Sequence, residues 1–184
     1  MDGNEEPDPL NSVPVSWAAC LKMKNKAMAV EAASKRVHSW SLERAIEFYS
    51  LQRDERSSES LKKLKLFQRI LLSPLGGEFH DWVDIDHLYS HDCGQLVRKL
   101  LSAQATDDAL EIVHSCHVPH DLKCDVHAKH IQALGQGSAS KGYGPISALR
   151  FLKTLPPNEA FDAGMKVLTS SCSLNLSKIG RAHV

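Results

Sequence analysis

Seven histidine and cysteine side chains are crowded into one short stretch of this sequence. Zinc prefers nitrogen and sulfur donors of this kind, and donors one helical turn apart could chelate a single ion. Cys124 with His127, and His127 with His130, have that spacing. We retain Cys116, His120, Cys124 and His127 as candidate metal ligands. The full set spans seventeen positions and comprises His114, Cys116, His117, His120, Cys124, His127 and His130.

The spacing of these donors argues against a structural zinc finger. Such sites usually take their ligands in short-spaced pairs on a tight knuckle, and the sequence contains no Cys-x-x-Cys. The same stretch carries Leu122, Val126 and Leu134 at helical spacing, so the histidines can simply flank a buried stripe. We therefore predict no metal or cofactor site in this chain. The alternative is a zinc-stabilised helical domain built on His114–His130.

Catalysis is not expected either. A nucleophilic cysteine, with Cys116 or Cys124 as the candidates, would need a nearby cation and an oxyanion-binding site. The sequence offers no glycine-rich elbow for such a site. The acidic group around Asp84 and Asp92 lacks the glycine and terminal glutamate of a calcium-binding loop, so it is expected at a helix start. We predict that the chain is not an enzyme.

Charge and cysteine content restrict the function classes further. Lysine plus arginine and aspartate plus glutamate number 22 each, which argues against a basic surface for direct nucleic-acid binding. The five cysteines are odd in number and scattered, as is typical of reduced thiols in a cytosolic protein. No apolar run approaches the roughly 20 residues that cross a bilayer. We expect a cytoplasmic protein.

The elements that would position these residues are short amphipathic helices. Apolar residues recur at spacings of three and four, and we expect these stripes to be buried between helices. They include Leu61, Leu64 and Phe67; Leu96, Val97, Leu100 and Leu101; Ile146, Leu149, Leu152 and Leu155; and Phe161, Met165 and Leu168. Ser41 and Thr106 are predicted N-caps, and Ser73 with Pro74 is predicted to end a helix. Gln52 to Ser60 reads as a loop that leads into a helix. The single short candidate for a strand is Trp82 to Ile85.

Two predicted hairpins resemble each other, Leu96 to Val113 and Ala148 to Leu168. A short hairpin cannot bury its own apolar face, so neighbouring hairpins stack into one continuous core. The predicted fold is all-α, an irregular α-solenoid of stacked helical hairpins over residues 21–172. Residues 1–20 are expected to be disordered and residues 173–184 an unstructured tail. Residues 179–184 match the translation of a common sequencing-library adapter, so we expect them to be an artefact that replaces the natural continuation.

The order of these features resembles the central helical region of the spastizin family, the FYVE-domain-containing proteins of endosomes and lysosomes. The resemblance covers roughly Lys22 to Ser171 and rests on collinear order, not on one diagnostic motif. It is carried by Trp40–Glu43, Lys63–Leu71, Asp81–Trp82, Val97–Leu101, Ala103–Gln104, Val118–Pro119, His127–Ile131, Ala148–Leu152, Leu155–Pro156 and Val167–Leu168.

This resemblance implies a scaffold that partners spatacsin and the fifth adaptor-protein complex in endolysosomal trafficking and lysosome reformation. It also implies links to autophagy, to cytokinesis at the midbody and to double-strand break repair. The family binds phosphatidylinositol 3-phosphate through a zinc-binding FYVE finger, whose basic motif and Cys-x-x-Cys pairs are missing here. Zinc and membrane binding are therefore expected only of a full-length parent. The implied location is cytoplasmic, peripheral to late endosomes and lysosomes, with the midbody and centrosome as further sites.

Overall fold

The regular structure of this protein is helical throughout the part of the chain that can be described. A computed structural model describes residues 16–52, 54–136 and 144–180, with side chains as far as Ser170. Within these ranges there are ten α-helices, two 3-10 turns (Val37–Ser39 and Pro74–Glu78) and no strand, so the all-α prediction is confirmed. The helices are α1 Trp17–Lys22, α2 Lys26–Ser34, α3 Leu42–Ser50, α4 Glu55–Leu72, α5 Trp82–His91, α6 Cys93–Ser102, α7 Thr106–Ser115, α8 His120–Gln136, α9 Pro145–Thr154 and α10 Pro157–Gly180.

The chain divides into two compact units, the first ending at Val83 and the second beginning at Asp84. In the first unit α1 packs against α2 and α3, and α3 packs against α4. Aromatic rings fill its centre: Phe48 is fully buried and meets the ring of Trp40 edge-on at 5.5 Å. The indole N–H of Trp82 donates to the backbone carbonyl of Trp40 at 3.1 Å, which satisfies a buried donor.

Short polar side chains start most of these helices by accepting a hydrogen bond from a free backbone N–H. Ser41 caps α3 as predicted, because its hydroxyl accepts from the N–H of Arg44. Asp54 caps α4, so that helix begins at Glu55, inside the stretch predicted as a loop. Ser16 caps α1, so helical structure begins at Trp17, inside the segment predicted to be disordered. Residues 1–15 lie outside the described ranges.

Thr106 does not cap α7, contrary to the prediction. Ala105 occupies the N-cap position, and Thr106 is the first residue of the helix. The turn from α6 decides this register, because the N–H of Ala105 donates to the carbonyl of Leu100 while Gln104 has a φ of 61°. Together with the bond from Gln104 N–H to the Leu101 carbonyl, this is the Schellman closure of a helix C-terminus. The turn therefore carries the chain directly into α7.

The short strand candidate from Trp82 to Ile85 is wrong, because these residues form the first turn of α5. Asp81 starts the helix by accepting from the N–H of Val83 at 2.8 Å. Trp82 and Ile85 are both buried, and their spacing of three places them on one helical face. Alternating and helical patterns cannot be told apart in so short an apolar run.

The second unit is organised around α8, which packs against α6, α7, α9 and α10. The apolar stripe predicted for α6 is buried against its neighbours, with Leu96, Val97 and Leu100 fully enclosed. Ile112 of α7 and Val126 of α8 are likewise fully buried. None of the helices in the described residues combines the length and hydropathy that a bilayer crossing requires.

The last helix extends further than the sequence indicates. Helix α10 runs to Gly180, so a helix occupies residues 173–180, which were predicted as part of an unstructured tail. No proline or glycine interrupts the chain between Gly164 and Gly180, and a glycine is a common helix stop. Residues 181–184, which belong to the suspected adapter segment, lie outside the described ranges.

Candidate functional site

Two helices of the second unit bring most of the chemistry-bearing side chains together. On α8, His120, Cys124 and His127 recur at spacings of four and three, which places them on one face. Helix α10 packs against α8 and contributes Glu159 and Asp162, one helical turn apart. The polar groups of the two helices therefore meet along a single interface.

Three donors converge at one end of this interface, and we call them the triad cluster: His120, Cys124 and Asp162. The Nε2 atom of His120 lies 2.9 Å from Oδ2 of Asp162 and 3.5 Å from Sγ of Cys124. One ligand atom from each residue lies within 4.8 Å of the other two. The sulfur is buried, with Cys124 only 1% exposed, whereas the other two side chains are about half exposed.

The triad cluster does not have the arrangement of an activated nucleophile. In a nucleophile–histidine–acid relay, the nucleophile and the acid bind opposite nitrogens of the imidazole ring. Here Cys124 and Asp162 both approach Nε2 of His120. Burial, followed by the charge of Asp162, raises the pKa of the Cys124 thiol, which is the reverse of what a reactive cysteine needs.

Ion pairs flank the triad cluster and tie α8 to α10. Lys123 donates to Glu159 at 2.8 Å, and Lys166 bridges Asp121 and Asp125 at 2.5 Å each. Burial opposes the charge of Lys166, but its hydrogen bonds to the two carboxylates outweigh burial and raise the pKa of its ammonium group. The hydrogen bond from Lys166 in turn lowers the pKa of Asp121. The carboxylates of Asp121, Asp125 and Glu159 therefore each lie beside a lysine ammonium group.

His127 lies one turn further along α8 and is fully buried. Neither ring nitrogen has a hydrogen-bond partner among the described residues, although Glu159 Oε2 lies 3.8 Å from Nδ1. The ring instead packs edge-on against Phe151 at 5.7 Å. Burial lowers the pKa of His127 to about 4 and outweighs the attraction of Glu159, so the ring is neutral at pH 7.

The fourth predicted candidate, Cys116, lies in a different place, beside Cys93 and Tyr89. Burial first, and then hydrogen bonding to Cys116, raises the pKa of Tyr89 to about 12. Burial and the neighbouring Cys116 also raise the pKa of Cys93, whose thiol donates to the carbonyl of His117 at 3.2 Å. Cys116 is therefore part of a second thiol group, in which Tyr89 and Cys93 are its neighbours.

Sequence reasoning missed Asp162. Of the four predicted candidates, the structure brings His120 and Cys124 into contact and adds this carboxylate, which follows His120 by 42 positions. Its sequence neighbourhood carries no ligand pattern. Only the packing of α10 on α8 joins it to the cluster.

The second unusual feature is an apolar stripe on α10 that faces away from the core. Phe161, Met165 and Leu168, at spacings of four and three, are 67%, 45% and 61% exposed. The opposite face of α10 packs into the core through Ala163 and Val167. We call the three exposed residues the α10 stripe. Contiguous exposed apolar groups of this kind commonly mark an interaction surface.

Helix α9 also exposes apolar residues that were expected to face the core. Ile146 and Leu149, predicted to be buried, are exposed, and the helix packs through Ala148, Phe151 and Leu152.

Comparisons of the chain with protein-family models, with curated proteins and with solved structures find no match.

Proposed function

We propose that this chain is a non-catalytic helical scaffold that binds a protein partner through the α10 stripe. The observation that carries the proposal is the exposure of Phe161, Met165 and Leu168 on a helix whose other face is already packed. A helix that is apolar on two faces is typical of one that is covered on both.

The packing order within the second unit supports an α-solenoid. Each helix from α6 to α9 packs against the next, and α8 also packs against the helices two positions away, α6 and α10. Contacts of this kind, between neighbours and next neighbours, are those of stacked hairpins that share one continuous core. In the first unit, α1 packs against α3 in the same way.

The occupant that best fits the α10 stripe is an amphipathic helix of the partner. Within the second unit, the similarly spaced stripe of α6 is covered by helices, with Leu96, Val97 and Leu100 fully buried. Apolar residues at spacings of three and four fit a helix laid along them, as in helix-in-groove recognition.

The arrangement of polar groups supports a function without catalysis. The triad cluster directs its thiol and its carboxylate to one ring nitrogen, which is unsuited to a relay. The open groove beside it is lined by groups such as Asp125, Lys129 and Lys166, and its described lining includes neither histidine nor cysteine.

The identity of the partner rests on the resemblance to the spastizin family. On that basis the chain is a segment of an endolysosomal scaffold, cytoplasmic and peripheral to late endosomes and lysosomes. Its partners are then spatacsin or the fifth adaptor-protein complex. Binding of phosphatidylinositol 3-phosphate, with the zinc of the FYVE finger that performs it, would belong to a full-length parent. The roles in autophagy, in cytokinesis and in repair would also belong to that parent.

Co-precipitation of purified spatacsin with the tagged chain tests this proposal. We expect the double variant Phe161→Asp/Leu168→Asp to weaken binding at least roughly tenfold, because charging two central apolar contacts removes their burial. Leu72→Asp is the matched control, since Leu72 is 82% exposed and lies outside the stripe. Circular dichroism melting shows whether each variant is folded. Undiminished binding by a folded double variant, or no binding by the unmutated chain, would overturn the proposal.

A further inference from the structure

We propose that the triad cluster is a binding site for a divalent transition-metal ion of the zinc class, which joins α8 to α10. The ligands are Nε2 of His120, Sγ of Cys124 and a carboxylate oxygen of Asp162. This inference does not depend on the proposed scaffold function, because it concerns the contact between two helices of one unit and not the α10 stripe.

The distances in the triad cluster are close to those of a tetrahedral site. With metal–nitrogen and metal–sulfur bonds of about 2.0 and 2.3 Å, a tetrahedral ion holds its nitrogen and sulfur ligands about 3.5 Å apart. Nε2 of His120 and Sγ of Cys124 are 3.5 Å apart. Oδ2 of Asp162 lies 2.9 Å from Nε2, a hydrogen-bond distance that must lengthen slightly. Asp162 is about half exposed, so a small rotation of its side chain suffices.

Hydrogen bonding alone leaves this arrangement incompletely satisfied. A neutral imidazole has at Nε2 either one N–H to donate or one lone pair to accept. If Nε2 of His120 donates to Asp162, it has no lone pair to offer the Cys124 thiol. If it accepts from the thiol, the carboxylate loses its donor. A metal ion accepts electron pairs from all three atoms at once.

The donor set selects the class of metal. Calcium and magnesium take oxygen ligands, whereas one imidazole, one thiolate and one carboxylate suit zinc and its neighbours in the transition series. When the ion binds, the Cys124 S–H bond breaks, the proton passes to solvent, and the sulfur lone pair forms the metal–sulfur bond. The thiolate and the Asp162 carboxylate then balance the two positive charges of the ion. Three protein ligands leave a fourth position for water.

The position of the ligands would make the ion a cross-link between helices. His120 and Cys124 are one turn apart on α8, immediately after the break at Pro119, and Asp162 comes from α10. Lys123 pairs with Oε1 of Glu159, and Lys166 pairs with Asp121 and Asp125, so these carboxylates already have cationic partners at the interface. The second oxygen of Glu159, Oε2, has no hydrogen-bond partner among the described residues. The triad cluster is therefore the part of the interface where an ion would add a bond.

Cobalt(II) titration of the metal-free protein, with any polyhistidine tag removed, tests the proposal. We expect one ion per chain and a sulfur-to-cobalt charge-transfer band in the near ultraviolet, because a thiolate is among the ligands. Zinc should displace the cobalt and raise the melting temperature of the chain. Binding at unit stoichiometry without the charge-transfer band would overturn the assignment of Cys124 as a ligand, and absence of binding would overturn the site.

Substitutions of the three proposed ligands test where the ion binds. Cys124→Ser should abolish the charge-transfer band, and His120→Gln and Asp162→Asn should each weaken cobalt binding at least roughly tenfold. Cys116→Ser is the matched control, because Cys116 belongs to the other thiol group and its loss should leave the band intact. If a change at the buried Cys124 prevents folding, Asp162→Asn still tests the site. Asp162 is about half exposed, so its substitution should leave the chain folded. A band that persists in Cys124→Ser or disappears in Cys116→Ser would contradict the proposal.

Discussion

His127 shows what a single buried side chain can contribute to the behaviour of this protein. It is fully buried, its ring nitrogens have no hydrogen-bond partner among the described residues, and its neighbours include the rings of Phe151 and His114. Burying a polar group without a partner costs free energy, and burying its charged form costs more. The residue is therefore held neutral, and its protonation is linked to unfolding.

We predict that the chain becomes less stable as the pH falls from about 6.5 towards 4. The pKa of His127 is near 6.5 when unfolded and about 4 when folded, so in this window the unfolded state binds more protons. The contribution of His127 to the unfolding free energy should be about 2 kcal/mol smaller at pH 5 than at pH 7. Urea unfolding at both values, with a chelator present, measures it.

The matched variants for this prediction are His127→Leu and His117→Leu. Removing the buried imidazole should flatten the dependence of the unfolding free energy on pH, whereas removing the exposed imidazole of His117 should not. Because the unmutated chain and His127→Leu share every other titrating group, the difference between them isolates the contribution of His127. If the unfolding free energy depended equally on pH in the unmutated chain and in His127→Leu, then His127 would not be the source of that dependence.

At the scale of the elements, the ends of the helices are decided by local chemistry. Ser73 and Pro74 end α4, as predicted, and a 3-10 turn from Pro74 to Glu78 follows. In that turn Gly76 lies directly against the backbone of α4, since a Cβ placed on it would lie only 2.0 Å from the carbonyl oxygen of Leu71. The adjacent Gly77 has open space at the corresponding position.

We therefore predict opposite outcomes for two neighbouring alanine substitutions. Gly76→Ala should destabilise the chain by roughly 1–3 kcal/mol or more, because the methyl group can be accommodated only if the turn moves away from Leu71. Gly77→Ala should change the unfolding free energy by no more than about 0.5 kcal/mol. Denaturant unfolding of both variants measures the contrast, and equal stabilities would contradict the packing described for this turn.

At the scale of the whole molecule, each unit has a buried apolar core, but the second unit leaves the α10 stripe exposed. The core of its last hairpin is small, consisting of Ile131, Ala148 and Ala163 with Phe151, Val167 and other partly buried residues around them. Small side chains let α9 and α10 approach α8 closely. Five other large apolar residues of these two helices are exposed: Ile146, Leu149, Phe161, Met165 and Leu168.

This arrangement predicts that the free chain binds a hydrophobic dye through the α10 stripe. We expect the fluorescence of anilinonaphthalene sulfonate with the folded chain to fall in Phe161→Asp/Leu168→Asp, because two of three exposed apolar groups become charged. Leu72→Asp should leave most of the signal, since that leucine is not part of the stripe. The opposite ranking of these two variants would place the exposed apolar surface elsewhere.

The sequence by itself determined the all-α class, the break at Ser73 and Pro74, the Ser41 cap and the buried stripe of α6. These features depend on residues within one or two turns of each other, so spacing and side-chain type are enough to predict them. Where local preferences were balanced, prediction failed. Trp82 to Ile85 fits a strand or a helix, and the turn at Gln104 placed the N-cap of α7 one residue before Thr106.

Only the tertiary structure decided which apolar face of α9 and α10 is buried, because both faces carry apolar residues at helical spacing. It also decided which histidines and cysteines meet. Seven candidates shared one stretch of sequence, yet packing joined His120 and Cys124 to Asp162 of α10 and placed Cys116 beside Cys93. Contacts between residues some forty positions apart depend on how helices stack, and periodicity within a helix does not encode its neighbour.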